Sequence, residues 1–159
     1  MTVVGDVLVA GIGNIFLGDD GFGSEVARRL TADDGDRVRV VDYGIRGMHL
    51  AYDLVDGVDT LILIDAVPGP GAPGTVSVRL IDEVPAAPAV DAHAMTPSAV
   101  LASLRALGGR LPTTYLIGCV PEDVSEGIGL SATVEAAVEP AAAAVRELLS
   151  ACSTRAEVT

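Results

Sequence analysis

Between Val7 and Leu30 the chain reads VLVAGIGNIFLGDDGFGSEVARRL. Val7 to Ala10 is a short apolar run of the kind that forms a buried strand. A glycine turn follows, Gly11-Ile12-Gly13-Asn14, then Ile15-Phe16-Leu17, and then the acidic pair Asp19 and Asp20. Phe22, Val26 and Leu30 recur every fourth residue, which predicts a helix with one apolar face. Strand, turn, carboxylates and helix in this order put Asp19 and Asp20 at the carboxyl end of a strand. Open α/β sheets bind their ligands at that edge.

A strand followed by G-x-G is also how a dinucleotide-binding fold begins. That fingerprint needs a further glycine three residues on, where helix and strand touch. Position 16 is Phe instead. Two carboxylates at the helix entrance repel a phosphate and favour a cation. Asp42, after the second strand, is the one feature that keeps a ribose contact open. One Asp at this place has a plain explanation, since an Asp just before a helix accepts its free N–H groups. Asp19 alone is read that way. Asp20 beside it needs another reason.

The chain has 159 residues, the length of one domain, with residues 1–150 expected to form it and 151–159 a frayed tail. Half of it is apolar, yet it has only two Phe, three Tyr and no Trp. Its core must therefore be Val, Leu, Ile and Ala, as in a parallel sheet covered on both faces. A formal charge of −12 speaks against nucleic acid and anionic membrane surfaces as partners. Cys119 and Cys152 form no C-x-x-C pair, so a reducing cytoplasm is expected. Met1 to Ala10 lacks a basic start and reads as no signal peptide, and no apolar run reaches the roughly 20 residues of a membrane span.

Further along, Arg37–Val41 is expected as a second strand ending at Asp42, and Thr60–Ile64 as a central strand ending at Asp65. Pro68 to Gly74 is too short and broken for a helical crossover. The strand Thr75–Ile81 is therefore expected to be antiparallel and at an edge. Thr96-Pro97 is a helix start, N-cap then N1, and Tyr115–Val120 the fifth strand. Ser131 is positioned to cap the last helix, in which Pro140 is expected to make a kink. The result is an α/β fold: five strands with helices on both faces. If the first strand lies between the second and third, Asp20 and Asp65 meet at the switch point.

Several segments then carry a resemblance. Gly11-Ile12-Gly13-Asn14 with Gly18-Asp19-Asp20-Gly21-Phe22-Gly23 resembles the opening motif of the nickel-iron hydrogenase maturation endopeptidases. Asp42-Tyr43-Gly44-Ile45-Arg46-Gly47, Leu63-Ile64-Asp65-Ala66-Val67, His93 ahead of a helix, and Gly129-Leu130-Ser131-Ala132-Thr133-Val134 follow in the same order. The resemblance runs from about Val7 to Leu149.

It implies a three-layer α/β/α sandwich whose mixed five-stranded sheet has order 2-1-3-5-4, with strand 4 antiparallel. It implies an endopeptidase that trims the C-terminal extension of the hydrogenase large-subunit precursor once nickel is in place, working as a monomer. Asp20, Asp65 and His93 are then the metal-holding positions, and two carboxylates with an imidazole suit nickel, zinc or cadmium. Many relatives have Glu where this chain has Asp20. The nickel arrives with the precursor, and Asp20 and Asp42 are the candidates for handling protons. The Asp42-Tyr43-Gly44 corner is a substrate contact, with Asp42 and Gly44 as its named residues. Two other readings stand beside this one: a non-catalytic nickel-binding chaperone with the same ligands, and a dinucleotide-binding α/β domain. His49 is the competing imidazole. Cys119 with His93 could pair as nucleophile and base, but a Cys in an apolar strand is usually an inert small hydrophobe.

Overall fold

The computed structural model describes residues 5–83 and 96–157, with side chains described as far as residue 151. Five strands form one sheet: β1 (Val7–Ile12), β2 (Val38–Gly44), β3 (Thr60–Ala66), β4 (Val76–Ile81) and β5 (Thr113–Cys119). Their order is β2-β1-β3-β5-β4, parallel throughout except that β4 runs antiparallel to β5. This is the expected topology, edge strand included.

Strand pleating sorts the apolar residues into two cores. On one face Val7, Val9, Ile62 and Ile64 pack under α1 (Phe22–Arg29) and α4 (Ala132–Glu157), through Phe22, Val26, Val134, Val138 and Val145. On the other, Leu8, Ala10, Leu61 and Leu63 pack under α2 (Gly47–Val55) and α3 (Pro97–Ala106), through Leu50, Leu54, Val100, Leu101 and Leu104. Both β1 and β3 are buried along their whole length, as their unbroken apolar runs require. With only Phe22, Tyr43 and Tyr115 as buried aromatic rings, the core rests on many aliphatic contacts and, on one side, on direct backbone contact.

That contact lies beneath α1. A Cβ on Gly23 would stand 2.2 Å from the carbonyl oxygen of Ile64 and 2.4 Å from that of Ile12, and one on Gly11 would stand 2.2 Å from the carbonyl oxygen of Gly23. The helix therefore rests on the backbone of β1 and β3. The close-packing glycine that is absent at position 16 is supplied by Gly23, one residue into the helix. Gly23→Ala is expected to destabilise the protein by about 2 kcal/mol, because only backbone can give way; the urea midpoint of the purified variant measures it.

Several boundaries differ from the sequence expectation, each for a pairing reason. β2 continues through Asp42 to Gly44 because Ile12 pairs with Gly44, past a bulge at Tyr43 of β2. β3 includes Asp65 and Ala66, which pair with Gly118 and Cys119. Thr96 does cap α3, accepting from the N–H of Ala99 at 3.1 Å with Pro97 next in line. α4 runs through Pro140 as one helix, Ala132–Glu157. Among the described residues no helix is long and apolar enough to cross a membrane.

Candidate active site

The turn after β1 becomes one turn of 3-10 helix, Gly18–Gly21, which leads directly into α1. Asp20 is carried on it. One oxygen of Asp20 accepts the N–H of Asn14 at 2.8 Å and so closes the Gly13–Asn14 turn back on itself. Gly13, at φ +133°, lies where a Cβ would meet the carbonyl oxygen of Asp20 at 2.0 Å and Asp65 Oδ1 at 3.5 Å. Only a glycine can pass between these two acidic residues.

Asp65 reaches the same place from β3. It is 3 % exposed, and its Oδ1 has no hydrogen-bond partner among the described residues. Burial, followed by the nearby negative charge of Asp20, pushes its carboxyl up to about 9, against a smaller opposing effect from the N–H of Ala66. A buried acceptor without a donor is rare, since it loses hydration and gains nothing. A cation between Asp65 and Asp20 would remove that penalty, and carboxylate oxygens suit a divalent ion. Among the described residues no group of three metal-binding side chains converges. Asp20 and Asp65 supply two donors, and His93 lies outside the described residues. The rival imidazole, His49, is on α2, 3.8 Å from an oxygen of Asp53 and near the ring of Tyr43 at 6.1 Å.

Asp19 corrects an expectation. No side chain caps α1. Instead Asp19, fully buried, accepts from the N–H groups of Glu122, Asp123 and Ser131 and from the Ser131 hydroxyl, at 2.6–2.9 Å. Ser131 Oγ in turn accepts the N–H of Val134 at 3.3 Å, and so caps α4 as expected. Burial works against the charged form of Asp19. The bonds from Asp123, Ser131 and Glu122 outweigh it, so the carboxyl is lowered from its ordinary range. The Asp beside Asp20 thus fastens the turn that carries Asp20 to the loop after β5. Backbone pairing repeats the connection: Gly18 donates to Gly127 and Asp19 to Asp123, both at 2.9 Å, while Gly127 donates to Phe16 at 2.9 Å.

Asp42 sits at the other side of the turn. It is exposed, accepts the hydroxyl of the buried Ser24 at 2.6 Å, and its carbonyl accepts from the Arg46 guanidinium at 2.7 Å. Ser24 was not singled out in the sequence, where it is one more polar residue in a first helical turn. Gly44, at φ +57°, turns its carbonyl to accept the N–H of Gly13 at 3.0 Å. A cleft of about 330 Å³ opens between the two corners, with Ser24, Asp42 and Gly44 in its wall together with Ile15, Phe16 and Ile45. Gly13 is the common wall between this cleft and the Asp20–Asp65 pair. Cys119 is fully buried, and burial, with Asp19's charge behind it, pushes its thiol up to about 11, which disfavours the thiolate a nucleophile needs. The Cys152 side chain lies outside the described residues.

A doubly wound sheet with two carboxylates at its switch point and a cleft beside them defines a small α/β enzyme with its acidic centre at the carboxyl ends of β1 and β3. A family model described as hydrogenase maturation protease matches residues 23–148. The hydrogenase 2 maturation protease of Escherichia coli (strain K12) is 37% identical over 140 residues, covering 85% of each chain. The hydrogenase expression/formation protein HoxM of Azotobacter vinelandii is 37% identical over 153 residues, covering 91% of this chain and 72% of its own length. The solved structure of the E. coli hydrogenase maturating endopeptidase HybD superposes with a TM-score of 0.71 at 34% identity, covering 89% of this chain and 93% of its own. The chain therefore belongs to the hydrogenase maturation protease family, and it is a peptidase.

Proposed function

We propose that this peptidase removes the C-terminal extension of a nickel-iron hydrogenase large-subunit precursor after nickel insertion, and that nickel on the precursor is what it recognises. The observation that carries this reading is the unpartnered Asp65 Oδ1, buried beside Asp20 in a fold belonging to hydrogenase maturation proteases. Asp20, Asp65 and His93 are assigned as the residues that hold the metal; zinc or cadmium can take the same ligands in its absence. None of the three is a thiolate, so the enzyme has no cluster that would keep nickel for itself, and the ion is part of the substrate.

A bound cation supplies polarisation of a nearby carbonyl or water. The chain's own residues do the rest. Engagement of Asp65 takes it from a neutral acid to a carboxylate and releases its proton to the site. Asp20 stays anchored by Asn14 and keeps one oxygen towards the centre. Asp42, held by the Ser24 hydroxyl and open to solvent, is placed to orient the peptide and exchange protons with it. Gly44 leaves backbone beside the cleft without a side chain to obstruct an extended substrate. Docking through the metal converts attack on the scissile bond into a reaction within one complex. The chaperone reading uses the same ligands but leaves the precursor's length unchanged. The dinucleotide reading is set aside, because the turn after β1 leads into a carboxylate pair and the family is one of peptidases.

The test is to mix the purified protein with nickel-loaded precursor and follow precursor mass. A single shortening is expected, with metal-free precursor left uncut. Asp65→Ala should fail to engage the precursor, whereas His49→Ala should process it normally. Equal cleavage of both precursor forms in chelator would overturn metal recognition; no shortening of either would overturn the proteolytic assignment for this substrate.

A further inference from the structure

Five large apolar side chains lie exposed at the carboxyl edge of the sheet. Ile15 and Phe16 follow β1, Ile45 follows β2, and Val124 and Ile128 follow β5; Phe16, Ile45 and Ile128 are 60%, 63% and 78% exposed. Ile15, Phe16 and Ile45 share the cleft beside Asp42. The loop bearing Val124 and Ile128 is bonded to the turn bearing Phe16, through the Gly127–Phe16 and Gly18–Gly127 hydrogen bonds and a parallel bridge between Leu17 and Gly127. Asp19 fixes the same loop from beneath. Water-exposed Ile and Phe on a backbone held this firmly mark a binding surface, and a held backbone loses little freedom when a partner arrives.

The charges on this edge narrow the partner. Asp42, Glu122, Asp123 and Glu126 are exposed there. Arg46 is the one cationic residue in the segments 11–20, 41–47 and 120–131, and its guanidinium is already bonded to the carbonyls of Asp42 and Tyr43. A second copy of this chain would bring a like-charged edge and a formal charge of −12 of its own. The complementary occupant is cationic.

We propose that Ile45, Ile15, Phe16, Val124 and Ile128 form a docking ledge for an extended peptide segment with apolar side chains flanked by Arg or Lys. Resting on the proteolytic reading above, this identifies the segment of the substrate that runs past the carboxylate centre. Apolar side chains of the segment sit against Ile15, Phe16 and Ile45 and against the Val124–Ile128 loop, and its cations face Asp42 and Glu126. The apolar contacts set affinity, while the acidic rim sets orientation and speeds encounter.

Anisotropy of a fluorescein-labelled short peptide, with a Leu- and Phe-containing centre and Arg at both ends, tests the ledge on the full-length protein without any cleavage. Binding is expected. It should weaken by about tenfold in Phe16→Ser and in Ile128→Ser, as for residues at the centre of an interface, and in Glu126→Arg it should weaken with a smaller salt dependence. Peptides with Glu in place of Arg, or Ser in place of Leu and Phe, should not bind. Because these side chains are exposed, the variants should melt with the wild type, and the KM for precursor should rise while kcat is kept. If the wild type ignores the peptide, or binds the Glu version equally, the ledge is overturned even where precursor is still cut. If the peptide binds as expected but precursor is never shortened, the ledge stands and the proteolytic reading falls. A dimer in sedimentation that Phe16→Ser dissociates would overturn the proposal in favour of self-association.

Discussion

Asp65→Asn is expected to make the metal-free protein more stable at neutral pH and, at the same time, unable to process precursor. The carboxyl of Asp65 lies at about 9 in the folded protein and at an ordinary 3.8 when exposed. Between those values the folded state holds a proton that the unfolded state has lost, so stability falls as pH rises from about 4 to about 9 and levels off above. Asn carries no such proton and can donate its amide hydrogen towards Asp20. At pH 7 the gap is roughly three pKa units, which corresponds to up to about 4 kcal/mol in favour of the variant. Urea unfolding in chelator across pH 4–9 should show the two curves diverging as pH rises; parallel curves would mean that Asp65 is not a buried acid. Adding a divalent ion should reverse the ranking. Binding stabilises only the protein that keeps its ligand, so the wild type gains and Asp65→Asn does not.

Asp19→Ala is expected to be the most damaging single change near the site, although Asp19 faces no substrate. It removes four hydrogen bonds at once and leaves the N–H groups of Glu122, Asp123 and Ser131 without their acceptor. Four bonds to one buried carboxylate are costly to lose together, and a loss of about 4 kcal/mol is expected. The pH dependence runs opposite to that of Asp65. The folded carboxyl of Asp19 is lowered, so its contribution is complete above the ordinary carboxylate range and is lost as pH falls below about 4. Asp19→Asn keeps an acceptor oxygen and should fall between Ala and wild type, with less sensitivity to acid. Thermal melts from pH 3 to pH 7 separate the three proteins. If Asp19→Ala melts with the wild type, the loop after β5 is held by its backbone pairing alone.

The contrast between these two carboxylates shows what could be read from sequence. Asp65 ends an apolar run, and a charge there points to either a cap or a site. Asp20 was legible as the second of two adjacent acids, more than one helix start requires. The role of Asp19 was not legible, because its partners are 103 to 112 residues away in the chain and carry no local pattern. Ser24 was hidden for a related reason: its bond to Asp42 joins a helix to a strand 18 residues further on. The layers followed from composition and apolar runs, and the antiparallel edge from a proline-rich connection too short to cross the sheet. Strand order came from the family resemblance, since pleating says which face a residue takes and not which strand is its neighbour. β2 and β3 run two residues or more past the ends that polarity predicts, because pairing decides where a strand stops.

The fastening of residues 16–19 to residues 123–131 also bears on when this enzyme can act during its own synthesis. Asp20 sits early in the chain, but the turn that carries it lacks its long-range partners until Asp123, Gly127 and Ser131 have been made. Contacts of such separation close long loops, whose entropy cost is met only once both ends exist. A nascent chain still on the ribosome, with its last third unmade, therefore has its carboxylates but not the loop that fastens their turn. The protease matures as a unit, and partial chains are not partial enzymes.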